Sequence, residues 1–271
     1  MKKRFLVIGA VVVCAGILFA SCSKNNDKKI QVAYTQAYAP YDFVNDKGEA
    51  DGFEVAVLKE VNKLIDSYEF QFVATSDEDL LIGVESGKYA VGIKGAWVTD
   101  ERRKKYIIPN ENIAVSIIGI VYRTADSDKI KDIETFAKFS GKLVPISPQS
   151  AQYSLMEEYN KEHPDAELKL VPYESFVNND AYTWVVEGRY DAYLDLKVLF
   201  QGTIVSKSGA WHDYLDKLMY APYKAIPTYP VFNKERQDLA DKYDAAIKTL
   251  RENGTLTKLS NKYFDEDIFS Y

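Results

Sequence analysis

The sequence predicts an α/β fold, and three observations predict it. Short runs rich in β-branched and aromatic residues alternate with stretches of helical period through the first two thirds of the chain. From Ile30 the order reads strand, helix, strand, helix, strand, which places helices over a largely parallel sheet. The C-terminal part is helical, with Leu239, Tyr243, Ala246, Ile247 and Leu250 forming one stripe.

Taken in order, Ile30 to Tyr34 is an apolar run suited to a strand. Pro40 breaks the segment Tyr38-Ala39-Pro40-Tyr41-Asp42, because proline has no N–H for a ladder. Asn45-Asp46-Lys47-Gly48 is a turn between two short extended pieces. A helix follows from Glu54, with Val57, Val61, Leu64 and Ile65 on one face. Phe70 to Ala74 reads as the next strand. Thr75 and Ser76 are N-cap candidates for a helix carrying Leu80, Leu81 and Val84, with Glu78 and Asp79 at capping-box spacing. Ser86-Gly87-Lys88 stops it, and Tyr89 to Ile93 is extended.

The middle repeats the theme. Strands are predicted at Val115 to Tyr122, Leu143 to Ile146, Leu168 to Val171 and Tyr190 to Leu194, with helices at Ser150 to Glu162 and Asn178 to Glu187. Asn253-Gly254 ends the long C-terminal helix, and Leu256, Leu259 and Tyr263 continue on a last short one.

Composition narrows the function. The chain has 271 residues, enough for one large or two modest domains. Its net charge of −6 argues against nucleic acid as a partner. Two Cys and two His exclude a zinc cluster or a disulfide scaffold, and neither a metal nor a cofactor is expected. Twenty Tyr are compatible with a polar cleft, since the ring is apolar and the hydroxyl hydrogen-bonds, although any single Tyr is an ordinary core or surface residue first.

The first residues read as an export address. Lys2, Lys3 and Arg4 precede an apolar run from Phe5 to Ala20. At about 1.5 Å per residue its 16 residues reach about 24 Å, short of a ~30 Å bilayer core. Phe19-Ala20-Ser21-Cys22 resembles a bacterial lipobox, with Phe19 where an aliphatic residue is usual. That resemblance implies a signal peptide over residues 1–21, lipidation of Cys22, and a protein anchored to the membrane rather than spanning it. The alternative is a buried N-terminal helix with a chance Cys. Residues 22–29 then comprise the lipidated Cys and a polar tether.

Three ordered stretches resemble the extracellular solute-binding proteins of amino-acid ABC importers. They are Tyr38-Ala39-Pro40-Tyr41-Asp42-Phe43 with Gly48 and Gly52-Phe53-Glu54-Val55; Ser86-Gly87-Lys88-Tyr89 with Thr99-Asp100-Glu101-Arg102; and Gly254-Thr255-Leu256 with Leu259 and Lys262-Tyr263-Phe264. The resemblance implies a two-lobed periplasmic-binding-protein type II fold with two hinge crossings. Residues 30–113 plus 221–271 would form lobe 1 and residues 114–220 lobe 2, closing on a ligand by a population shift.

It also implies site residues. Arg102 would fork onto a ligand carboxylate, a task that suits the planar guanidinium; without the family pattern, Arg102 to Lys105 is only a basic helix face. Thr99 either caps the helix bearing Arg102 or shapes the cleft wall. Gly95 to Trp97 would line the cleft, and Trp97, where a small hydroxyl residue is common, either covers the ligand or packs in the core. Ser150 opens a lobe 2 helix whose N-terminus favours an anion, and is otherwise a plain N-cap. In the family an Asp five residues after Asp191 holds the ligand amine; here that position is Leu196, and Asp195 comes one residue early. On a strand one step reverses the face. Either a local shift re-aims Asp195, or the amine is held elsewhere, or the ligand has none. Tyr38 is expected to contact the ligand and Tyr41 to be core. Asp77 would flank the ligand side chain, with a solvated helix-start acid as its alternative.

The resulting expectation is a monomeric envelope lipoprotein that faces the periplasm or exterior. It would capture a small zwitterion, such as an amino acid or cystine, and deliver it to an ABC permease. The competing readings are an enzyme on the same fold, resembling a cyclohexadienyl dehydratase, and a surface sensor or adhesin module. Neither His163 nor His212 lies in a cleft stretch to serve as a general acid.

Overall fold

The computed structural model describes residues 28–148, 150–173 and 178–271. The export segment over residues 1–21, Cys22, most of the tether and Gln149 lie outside the described residues. The chain opens with β1 (Lys29–Thr35) and three short strands, β2 (Ala37–Tyr38), β3 (Asp42–Val44) and β4 (Ala50–Asp51). Then come α1 (Phe53–Leu64), β5 (Glu69–Thr75), α2 (Asp77–Glu85), β6 (Val91–Ala96) and α3 (Asp100–Lys105). A ten-residue strand, β7 (Ala114–Arg123), leads to α4 (Ile133–Lys138), α5 (Ala151–Glu162), α6 (Asn178–Val186), β8 (Ala192–Leu196) and α7 (Lys197–Phe200). Strand β9 (Leu218–Phe232) returns the chain to α8 (Gln237–Glu252) and α9 (Thr255–Phe264).

The helix starts follow local chemistry. Ser76, Thr99, Asp132 and Ser150 each accept a backbone N–H from the first turn of α2, α3, α4 and α5, which satisfies one orphan donor per helix.

Six strands form one sheet in the order β5-β1-β6-β9-β7-β8. Only β5, β1 and β6 run parallel; β6–β9, β9–β7 and β7–β8 are antiparallel, so the expectation of a largely parallel sheet is corrected. The reason is β9, fifteen residues long and absent from the sequence reading because it contains Pro222, Pro227 and Pro230. Over residues 218–228 it pairs with β7 on one side only, so a residue without an N–H can turn its nitrogen to the free edge. Pro230 lies where the pairing with β6 changes register.

Two further strand expectations are corrected. Leu143 to Ile146 and Leu168 to Val171 form only isolated bridges, Leu143 to Ala192 and Ile146 to Pro172. The Asn160 side chain takes both backbone groups of Leu168, at 2.7 and 2.9 Å, in place of a neighbouring strand.

The core divides in two. One pair of clusters draws on β1, α1, α2, β6, α8 and α9, with Phe53, Leu58, Val61, Ile93 and Tyr243 fully buried. The other draws on β7, α4, α5, α6 and β8, around Ile118, Ile120, Phe136, Met156 and Tyr182. Strands β7 and β9 run through both and are the two crossings of a two-lobed fold. At the passage Gly119 faces β9, where a Cβ would meet the Ala221 carbonyl oxygen at 2.2 Å, and the register shifts there. A third link joins the lobes. Lys197 on α7 pairs with Glu266 at 2.6 Å and contacts the Tyr271 hydroxyl, while Val198 packs into the first core.

Candidate ligand-binding site

The site grows from the alternation of β6. Val91 and Ile93 point into the core under α1, so Gly95 continues that face; Gly92, Lys94 and Ala96 face α2. Gly95 has φ +60, and a Cβ there would sit 2.9 Å from the Tyr38 ring. The Gly95 N–H donates to Glu54 Oε2 at 3.1 Å. Tyr38 stacks on Tyr41 with ring centres 5.0 Å apart, and the Tyr41 hydroxyl donates to the Val115 carbonyl at 2.8 Å. Tyr38 is half-buried and Tyr41 is buried. The buried Ser116 of β7 lies beside both rings.

After β6 the chain turns outward at Trp97. Its indole packs against the second lobe's core cluster, which includes Leu155 and Met156 of α5, so Trp97 spans from one lobe to the other. The Trp97 carbonyl accepts Arg102 Nη1 at 2.5 Å. Thr99 caps α3 by accepting the Arg102 N–H at 3.2 Å, which holds the base of the Arg102 side chain. Arg102 is half-buried, and among the described residues no carboxylate lies within ion-pair distance of it. Burial pulls its pKa down, an effect only partly opposed by Tyr106 and Asp77. A desolvated cation with open donors of this kind favours an incoming carboxylate.

Asp77, in the first turn of α2, is exposed and pairs with Lys94 Nζ at 2.5 Å. Lys94 itself is only 12% exposed. The Asp77 charge acts on both Arg102 and Tyr38. Residues Tyr38, Asp77, Gly95, Trp97, Thr99 and Arg102 are thus brought into one neighbourhood. Ser150 stands at the head of α5; its hydroxyl accepts from the Tyr153 N–H at 3.1 Å and donates to the Ser147 carbonyl at 2.7 Å.

Asp195 does not join them. It is 4% exposed on the face of β8 that carries Tyr193, and its carboxylate accepts from the Tyr182 hydroxyl at 2.6 Å and the Leu196 N–H at 2.8 Å. Burial pushes its pKa up to about 7 against these two donors. Leu196 points the other way and packs against both lobes' clusters, so no local shift re-aims Asp195. His163 caps the end of α5, stacked on Tyr159 at 4.3 Å, and His212 holds the Ile204 carbonyl; both lie apart from the site.

Sequence reasoning missed Lys94, Ser116 and a buried carboxyl pair, Asp42 and Glu54. The β6 alternation could have placed Lys94 beside α2. Glu54 was visible as part of Gly52-Phe53-Glu54, but the partners of its carboxyl, Asp42, Gly95 and Thr228, come from three other strands.

Comparison with known proteins shows the family. The model of the bacterial extracellular solute-binding proteins, family 3, matches residues 30–266. The L-cystine-binding protein TcyJ of Bacillus subtilis (strain 168) is 30% identical over 274 residues, covering 98% of this chain and 97% of its own. The histidine-binding periplasmic protein of Salmonella typhimurium is 24% identical, covering 99% of each. A structure describing glutathione import via GshT and the cystine ABC importer TcyBC of Streptococcus mutans superposes with TM-score 0.64 at 27% identity, over 89% of this chain and 96% of that one. The L-cystine solute receptor of Neisseria gonorrhoeae, in its unliganded open conformation, gives TM-score 0.65 at 22% identity, over 90% and 95% of the chains, and supports the fold. With a match that spans residues 30–266, the chain belongs to family 3 of the bacterial extracellular solute-binding proteins.

Proposed function

We propose that the protein is the solute-binding component of an ABC importer and takes a zwitterionic amino acid or derivative, with L-cystine the first candidate. The observation that carries this reading is Arg102: half-buried, fixed to the Trp97 carbonyl at one nitrogen, and lacking a carboxylate among the described residues. A ligand carboxylate completes the fork, and lobe closure brings the amide-rich start of α5 at Ser150 to the same head group. Tyr38, Gly95 and Trp97 form the wall, and Thr99 holds Arg102 in place.

Leu196 stands where an amine-binding carboxylate was expected, and Asp195 is committed to Tyr182. The ammonium therefore falls to Asp77, whose partner Lys94 can take a second carboxylate. A solute with two zwitterionic ends suits that pair, and the resemblance to TcyJ supports the same class. The cycle is encounter, closure, docking on a permease and release, with no chemical step; His163 and His212 are held elsewhere. The protein acts as a monomer on the outer side of a membrane, anchored through Cys22, with lobe boundaries near residues 113 and 221.

The test is calorimetry and thermal shift with amino acids, L-cystine, glutathione and small peptides. Binding raises the melting temperature by linkage. Absence of any shift, with native mass spectrometry showing no retained small molecule, would overturn the reading.

A further inference from the structure

The carboxyl groups of Asp42 and Glu54 meet inside lobe 1, directly behind the ligand wall. Both side chains are completely buried. Glu54 Oε2 accepts from the Gly95 N–H at 3.1 Å, and Glu54 Oε1 accepts from the Thr228 hydroxyl of β9 at 3.4 Å. Asp42 Oδ1 accepts from the Thr35 hydroxyl at the end of β1. Asp42 Oδ2 is buried without a donor from any other side chain or the backbone among the described residues, and the Asp42 and Glu54 carboxyl groups act directly on each other. Two carboxylates offer each other only lone pairs, and no Lys, Arg or His among the described residues is within ion-pair distance of either. A single proton resolves both problems: it turns one acid into the missing donor and removes one of two buried like charges.

We propose that Asp42 and Glu54 are positioning residues of the ligand site, joined by one shared proton that fixes the Gly95 backbone and, through it, the Tyr38 ring. This deepens the function proposed above and rests on Gly95 and Tyr38 lining the site. Burial raises the pKa of both acids, with mutual repulsion adding to the rise at Asp42, so the pair retains a proton at neutral pH. Among the described residues the titratable groups facing it are tyrosines: Tyr34 from β1, Tyr38 from β2, Tyr41 beside β3, and Tyr243 from α8. Each is itself pushed up, so none titrates before the pair. A ligand carboxylate and the exclusion of water on closure both disfavour a second negative charge behind Gly95. Binding therefore favours the protonated pair, and affinity falls as pH rises past neutrality.

The experiment follows two readouts in the purified protein, its E54Q and D42N variants, and E54A. The first needs no ligand: the Gly95 amide resonance is recorded against pH. It is expected to titrate in the wild type and to stay flat in E54Q, where the amide keeps an acceptor for Gly95 and a donor for Asp42. The second is the Kd for L-cystine, expected to weaken with rising pH by at most about tenfold per pH unit, the limit for one linked proton. E54Q is expected to flatten that profile while retaining affinity, and E54A, with no acceptor for Gly95, to lose affinity at every pH. A Gly95 resonance that titrates equally in wild type and E54Q, or infrared evidence of two ionised carboxylates at neutral pH, would overturn the proposal. If L-cystine fails to bind the wild type, the ligand assignment above falls, and the Gly95 titration still decides the shared proton.

Discussion

Replacing Gly95 by Ala tests the site wall without touching a charge. Two costs can be worked out. Gly95 has φ +60, a conformation that costs an L-residue roughly 1–2 kcal/mol. The new Cβ would also lie 2.9 Å from Tyr38 Cε1, so the ring must move. It cannot retreat freely, because it stacks on Tyr41 at 5.0 Å and Tyr41 is tied to the Val115 carbonyl. A total near 2 kcal/mol lowers the melting temperature by roughly 5 °C for a chain of this size. Displacing the ring from the ligand surface is expected to weaken solute binding by about tenfold, equivalent to ~1.4 kcal/mol. The control is Gly87→Ala. Gly87 has φ +82, but its Cβ would meet only Asn233 Nδ2, at 3.6 Å, far from the ligand wall. It should lose similar stability and no affinity. Calorimetry on both variants decides; equal affinity for G95A, G87A and wild type would refute the placement of Gly95 and Tyr38 at the ligand.

Other perturbations separate neighbouring roles. Arg102→Ala is expected to weaken solute binding by at least ~100-fold, on the order of 3 kcal/mol for a charged hydrogen-bonded pair, with the circular dichroism spectrum unchanged; unaltered calorimetric affinity removes Arg102 from the site. Thr99→Ala removes a cap worth ~1 kcal/mol and should reduce stability in urea while weakening binding only modestly through Arg102. Asp195→Asn is expected to leave affinity intact. Because burial raises the Asp195 pKa to about 7, above its unfolded value near 4, its stabilising protonated form is lost as pH rises between those values. The wild type should therefore lose up to ~1.4 kcal/mol of stability per pH unit more than the variant across that window, and identical urea midpoints at every pH would contradict this. Cys22→Ala should move the protein from the membrane to the soluble fraction; persistence with membranes rules out the lipid anchor.

Much of lobe 1 was legible because its signals are local. The Ile30 strand, the capped helix after Ser76 and the C-terminal stripe each rest on residues a few positions apart. Thr99 and Ser150 as caps were legible for the same reason. Strand β9 was not, since its three prolines argue against a strand until the free edge along residues 218–228 is seen. The Leu168 segment failed in the opposite direction: its β-rich run looked extended, but Asn160 satisfies its backbone. The Tyr residues divide by burial alone: Tyr38 stays half-buried beside Gly95 while Tyr159, Tyr182 and Tyr243 fill cores.

The amino-acid order by itself determined the α/β class, the helix caps and the stretches of family pattern, because periodicity, capping and turn chemistry act within one or two turns of chain. Only the tertiary structure decided that Asp195 turns inward, that Lys94 meets Asp77, and that Asp42 and Glu54 share a buried pocket behind Gly95. Those outcomes depend on which face of a strand meets which helix, and on how much water remains around each charge once residues dozens of positions apart have packed together.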